Sequence, residues 1–224
     1  MSHFSTLPSG SSGLPQSDSL CASEVRPAAE NRSGNTTANN TVPSGPISWP
    51  STSFTQWATD RSKVTGKYTG TTDQILQWGA CKWGIDEDIL RAVAAEESWW
   101  HQTTIGDQDH CGSTPNGSWG IMQVMNSCTG SIVHGGYPDT ANETGLDVDY
   151  YAAHIRACFD GAFSGWLYNG GTVQQWIAAN GSDSALWGCI GQWYSGDWYD
   201  SGALSYINDV KGYYNSKPWL SSSF

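Results

Sequence analysis

The tightest constraint on this chain lies between Thr71 and Ser98, where two helices must follow one another with almost no linker. Thr71-Thr-Asp-Gln74 is a capping-box pattern that opens the first helix, and Ile75, Leu76 and Ala80 give it an apolar side. Gly84 suits the left-handed position that stops it. Asp86 then caps a second helix, whose first turn carries Glu87 and Asp88 as the helix dipole favours. This junction predicts a helical hairpin with Glu97 at the far end of its second arm. Along that arm Leu90, Val93, Ala94 and Glu97 fall at i, i+3, i+4 and i+7, which is one face. At about 100° per residue Glu97 lies near the centre of the apolar stripe and Glu96 roughly a quarter-turn away, at its margin. Burial there penalises the charged form, raises the pKa and keeps the proton on, which is the state a general acid needs. On the helix alone a frayed last turn, with Glu97 simply reaching water, is the competing reading.

A second motif bears on that choice. Glu97-Ser98 is followed, 22 residues after the serine, by Gly120-Ile121-Met122-Gln123-Val124. In this order and at this distance the two motifs resemble the lysozyme-like lytic transglycosylases of the soluble murein-cleaving type, and more distantly the goose-type lysozymes. The resemblance covers roughly residues 72 to 215. It implies a mainly α fold of the lysozyme-like α+β kind: a compact helical domain with a catalytic cleft. It also implies that Glu97 is the one essential carboxylate and that the Gly120–Val124 segment lines the sugar cleft.

Composition limits the alternatives. Thirteen tryptophans with only 14% charged residues are not the profile of a disordered chain, and Trp faces suit stacking on pyranose rings. A net charge of −11 argues against nucleic acid and anionic membranes as partners, and it runs against an anionic cell wall too. No apolar run approaches membrane-spanning length. The six cysteines, at 21, 81, 111, 128, 158 and 189, stand singly, without the spacing of a zinc site. A disulfide framework in a secreted protein is the better reading, so no metal and no cofactor is expected. Cys111 with Cys128 is the preferred pair, because that bridge would clamp the loop carrying Gly120–Val124. Met1–Gly10 lacks the apolar core of a signal peptide.

Residues 1–52, rich in Ser, Pro, Asn, Thr and Gly, read as an irregular extension, with Cys21 and Glu24-Val25-Arg26 tying part of it to the body. Residues 53–224 are then the lysozyme-like domain. Asn-x-Ser/Thr sequons occur at Asn31, Asn35, Asn39, Asn116, Asn142 and Asn180. Trp99 to Trp119 reads as loop. Beyond it, Val148, Tyr151, Ala152, Ile155 and Phe159 repeat at helical spacing in a long helix ending near Gly161. Val173–Ala179 and Ala185–Tyr194 follow as shorter helices, and Leu204, Ile207, Val210 and Tyr214 mark a last amphipathic one.

The resemblance implies cleavage of the β-1,4 bond between N-acetylmuramic acid and N-acetylglucosamine by a monomer, with a 1,6-anhydro product. It points to Ser98, Asp107, Trp119, Met122, Gln123 and Tyr194 as residues around the sugar. Tyr194 matches a family tyrosine whose hydroxyl approaches the acid, although Ser195 stands where the family has Asn. Goose-type lysozymes carry an Asp directly after their counterpart of Val124, whereas this chain has Met125. That favours the lytic route. A hydrolytic muramidase or chitinase drawing a base from Asp107 or Asp109 is the runner-up, and an inactive glycan-binding module is a third reading. Non-reducing peptide mapping should recover Cys111 joined to Cys128; free thiol at either position would remove the clamp.

Overall fold

The computed structural model describes residues 3–47, 49–107, 117–126, 137–163 and 171–224. Ten α-helices and one small sheet make up these segments. The hairpin expected between Thr71 and Ser98 is present as α4 (Thr72–Trp83) and α5 (Glu87–Ser98). Thr71 and Gln74 form both halves of the capping box, Gly84 ends α4 in the left-handed region at φ 60°, and Asp86 accepts from the Asp88 amide. These local devices mark both ends of α4 and the start of α5.

Four short helices lie outside the pair, α1 (Asp18–Glu24), which packs on α4, and α2 (Thr36–Asn39), α3 (Thr55–Arg61) and α6 (Asp139–Asn142). The core is organised on α7 (Thr144–Phe159), every residue of which is buried. Helices α3, α4 and α9 (Ser182–Ser195) pack on α7, while α8 (Val173–Asn180) packs on α9. The last helix, α10 (Ser201–Ser216), lies on α5 and α9. Its buried stripe is Ala203, Tyr206, Ile207 and Val210, whereas Leu204 is exposed; the expected stripe was therefore out of phase at its first residue. The reason is that Tyr206 turns inward.

Trp99–Trp119, expected as loop, supplies two strands of an antiparallel sheet: β1 (Ile105–Gly106), β2 (Gly117–Trp119) and β3 (Val124–Asn126), in that order. Strands of two or three residues are too short for an alternation to show in the sequence. Gly120–Gln123 is the turn between β2 and β3.

The N-terminal segment is held to the body at several points rather than trailing from it. Cys21 is bridged to Cys81 on α4, and Cys158 on α7 to Cys189 on α9. Cys111 and Cys128 lie outside the described residues. Glu30 accepts from the Thr72 amide and hydroxyl at the start of α4, an anion placed where the helix dipole favours it. Of the sequons, Asn35 and Asn39 are buried and hydrogen-bonded, while Asn31, Asn142 and Asn180 are exposed and Asn116 is outside the described residues. The Cys21–Cys81 bridge spans 60 residues, so in the chain-entropy account its loss should cost about 4 kcal/mol. Denaturant titration of Cys21→Ser/Cys81→Ser against wild type, both non-reducing, should show that loss; an unchanged midpoint would mean that the segment contributes little to the fold.

Candidate active site

Glu97 sits in the last turn of α5. Its side chain keeps partial exposure, yet the carboxyl lies deep enough for burial to push its pKa up to about 8. Two donors oppose that shift without cancelling it. The Tyr206 hydroxyl of α10 donates to Oε1 at 2.5 Å, and the Trp193 side chain of α9 bonds the same carboxyl. Glu96 and, more weakly, Asp107 add repulsion that favours the proton. At neutral pH Glu97 is therefore an uncharged acid with some solvent access. Glu96 is also raised, by burial and then by Asp209, but no described hydroxyl or indole bonds it.

Ser98 explains why the two sequence motifs travel together. It is buried, and its hydroxyl reaches both the Ala94 carbonyl one turn back and the Ile121 carbonyl, each at 3.1 Å. The end of α5 is thus joined to the Gly120–Gln123 turn. From the other side that turn is held by Asp147 of α7, a fully buried carboxyl whose Oδ2 accepts the Met122 amide at 2.8 Å. Burial, and then the nearby Glu97, raise the pKa of Asp147 well above the usual carboxylate range. Gly120, at φ 79°, is required twice over: a Cβ there would fall 2.4 Å from Asp147 Oδ2. Gln102 closes the turn by accepting from the Ile121 amide and donating to the Thr140 carbonyl.

The residues expected around the sugar are placed differently from one another. Met122 is fully buried and presents no surface to a ligand, because its amide faces Asp147 and its side chain enters the core. Gln123, in the left-handed region at φ 52°, spends its amide NH₂ on the Thr104 and Gly120 carbonyls. Trp119 is partly buried, its ring tilted against Tyr137 at 5.0 Å. Tyr194 is exposed and does not reach the acid. Its ring stacks at 4.9 Å on Tyr206, and Tyr206 supplies the hydroxyl that was expected of Tyr194. Asp107 is exposed, follows β1, and accepts from Ser118 Oγ at 2.7 Å. Asp109 lies outside the described residues.

Sequence reasoning missed Tyr206, Trp193, Asp147 and Tyr151. Tyr151 of α7 lies fully buried near Glu97, with its hydroxyl unpartnered by any described group. Tyr206 was legible in principle, since Ala203, Tyr206, Ile207 and Val210 share a helical face. Nothing local marked the others. A cavity of about 650 Å³ lined by Arg26, Asp88, Arg91, Trp100, Lys217 and Phe224 does not include Glu97, and its ionic groups are largely paired with one another.

A mainly helical domain with an enclosed acid in the last turn of a helix, beside a small antiparallel sheet, is the architecture of the lysozyme-like glycan-cleaving domains. Residues 74–145 match the family model described as Transglycosylase SLT domain, the family that Glu97-Ser98 and Gly120–Val124 resemble. The match carries peptidoglycan cleavage as that domain's general activity, and it spans Glu97 and the turn but not Tyr151, Trp193 or Tyr206. No curated protein and no solved structure matches the chain.

A raised carboxyl pKa has a definite consequence for stability. Folded Glu97 holds its proton up to about pH 8, whereas an ordinary glutamate releases it near pH 4.3. Between these values the native state binds more protons than the unfolded state, so the Glu97 contribution falls as pH rises and is fully lost above the folded pKa. Urea denaturation between pH 4 and pH 9 should show stability declining through this window in wild type. Glu97→Gln should flatten the decline, and parallel curves for the two proteins would refute an enclosed acid.

Proposed function

We propose that this protein cleaves the β-1,4 bond between N-acetylmuramic acid and N-acetylglucosamine in peptidoglycan by a lytic route. The observation that carries the reading is Glu97: one carboxylic acid, held protonated, hydrogen-bonded by Tyr206 and Trp193, within the segment that matches the transglycosylase family. Glu97 donates its proton to the glycosidic oxygen as the C1–O bond breaks, and the leaving sugar departs with a free hydroxyl. The substrate's own acetamido group stabilises the positive charge developing at C1. Glu97, now a carboxylate, takes the proton from the 6-hydroxyl of the muramyl residue as that oxygen bonds to C1. The acid is regenerated, the product carries a 1,6-anhydro end, and no water is consumed.

The Tyr206 hydroxyl suits both halves of this cycle, because its bond to Glu97 strengthens when the carboxyl is charged. An enclosed acid without that donor would give up its proton with more difficulty. Exposed Tyr194 on Tyr206, with Trp119 at the sheet, offers aromatic faces for sugar rings. The paired cysteines support an oxidising, extracellular setting, and the chain is proposed to act as a monomer.

One observation favours the hydrolytic alternative. In the sheet Gly106, Ser118 and Met125 form one row across three strands, so Asp107, which follows Gly106, leaves the sheet on the strand two over from the position where goose-type lysozymes carry their second carboxylate. It is also close enough to raise the pKa of Glu97. The two routes separate on product mass and on Asp107→Asn. Incubation with purified murein should yield anhydro ends, one water lighter than the hydrolytic product, with Asp107→Asn slower by less than about tenfold. Glu97→Gln should abolish cleavage, while Glu96→Gln changes the rate only modestly. Hydrolytic masses together with a loss of about 10²- to 10⁴-fold in Asp107→Asn would overturn the lytic route and leave Glu97 as the acid.

A further inference from the structure

Helix α5 ends in an unusual way. Trp99 and Trp100, the two residues after Ser98, both adopt left-handed backbone conformations, at φ 53° and 62°. The Trp100 amide bonds back to the Ala94 carbonyl, six residues earlier, at a helix end where glycine is the usual left-handed residue. Each bulky residue in this region costs about 1 kcal/mol or more. Two in succession persist only if the surroundings hold them. Their own rings supply part of that hold: Trp100 is buried against Trp219 and Phe224, and its indole N–H donates to the Arg91 carbonyl. The backbone of the turn is gripped by something else.

That grip comes from the N-terminal segment. Arg32 Nε donates to the Trp99 carbonyl at 2.9 Å, and Asn35 Nδ2 donates to the Trp100 carbonyl at 2.7 Å. Asn35 Oδ1 accepts the Gln102 amide at 2.9 Å, so one side chain bridges both sides of the bend. Arg32 and Asn35 are 8% and 2% exposed, so these bonds are shielded from competing water. Asn35 is anchored in turn to the Thr72 hydroxyl at the start of α4. Gln102 then passes the restraint to the Ile121 amide in the turn beside Glu97. Neither Arg32 nor Asn35 bonds Glu97 itself.

We propose that Arg32 and Asn35 are positioning residues for the catalytic acid: by holding the left-handed Trp99–Trp100 turn they fix the last turn of α5, and with it Glu97 against Tyr206 and Trp193. The N-terminal segment is then a working part of the active site despite having no place in the matched family segment. The inference rests on the reading of Glu97 as the acid, but its first test does not require activity. The groups facing Glu97 are Glu96 on its own helix, Asp107 after β1, Asp147 and Tyr151 on α7, and Trp193 and Tyr206 on α9 and α10. None of them is altered by substitution at 32 or 35.

The experiment is a carboxyl-carbon NMR titration of Glu97 in Arg32→Lys, which keeps the charge but not the Nε geometry, in Asn35→Ala and in Asn35→Asp. Asn39→Ala is the control, since Asn39 bonds Glu30 and Thr72 at the same docking site without touching the turn. In the variants at 32 and 35 the midpoint should drop by about one pH unit or more as the carboxyl loosens from its enclosure. In Asn39→Ala the melting temperature should fall with the midpoint unmoved. On murein, kcat should fall about tenfold in the variants at 32 and 35 with KM changed less than about twofold. A wild-type midpoint in folded variants at 32 and 35, or an equal shift in Asn39→Ala, overturns the proposal. If Asn35→Ala fails to fold, the Asn35→Asp and Arg32→Lys midpoints decide it in the same way. A wild type that leaves murein intact but gives these midpoints refutes the proposed function and not the positioning.

Discussion

The structure depends on burying α7 on every side while it carries ionisable side chains. Asp149 is fully buried and is satisfied by the amides of Thr65 and Gly66, the Lys82 ammonium at 2.7 Å and the Trp83 indole at 2.6 Å. Asp147 takes the Met122 amide, and Arg156 donates to the carbonyls of Leu7 and Pro8 as well as to Asp160. A buried charge or polar group left without partners is costly, so each of these side chains draws a different segment to the helix. Residues 65–66, the Gly120–Gln123 turn and the extreme N-terminal segment are placed by this requirement. The packing of the core and the shape of the site therefore have one origin.

The same balance of burial and partners sets the character of Glu97. Burial acts on the charged form, and the two donors from α9 and α10 act against it; burial is the larger effect, so the group rests as an acid. Asp147 illustrates the other use of a buried carboxyl. It faces backbone amides, carries no access to solvent, and holds the wall of the site rather than reacting. Two carboxyls a short distance apart thus differ in character because one keeps some solvent access and the other is closed.

Much of this was legible beforehand, and the legible part is local. The caps at Thr71, Gly84 and Asp86 depend on nearby residues, so both ends of α4 and the start of α5 follow from the sequence, whereas the end of α5 does not. The inward face of α5 and the place of Glu97 on it follow from a period of 3.6, whereas its role as an acid was an expectation drawn from the family resemblance. The helical spacing of Val148 to Phe159 likewise marked α7, and Cys21 marked a tether to the body.

What only tertiary structure decided involves partners distant in sequence. Tyr206 is separated from Glu97 by 109 residues, and no periodicity says which tyrosine of the C-terminal helices will meet the acid; Tyr194 was the nearer match by motif and stacks outside it. The strands of the small sheet are too short to carry an alternation, so their pairing exists only once the chain has closed. The N-terminal segment has the composition of a loose extension, yet Glu30, Arg32, Asn35 and Asn39 find backbone and hydroxyl partners on the folded domain. By itself the sequence determined the capped helices and the place of Glu97 on an apolar face, because helix caps and amphipathic faces are short-range chemistry. The enclosure that makes Glu97 an acid was decided by side chains from α9 and α10 packing over the end of α5, since desolvation is a property of the assembled interior and not of any segment.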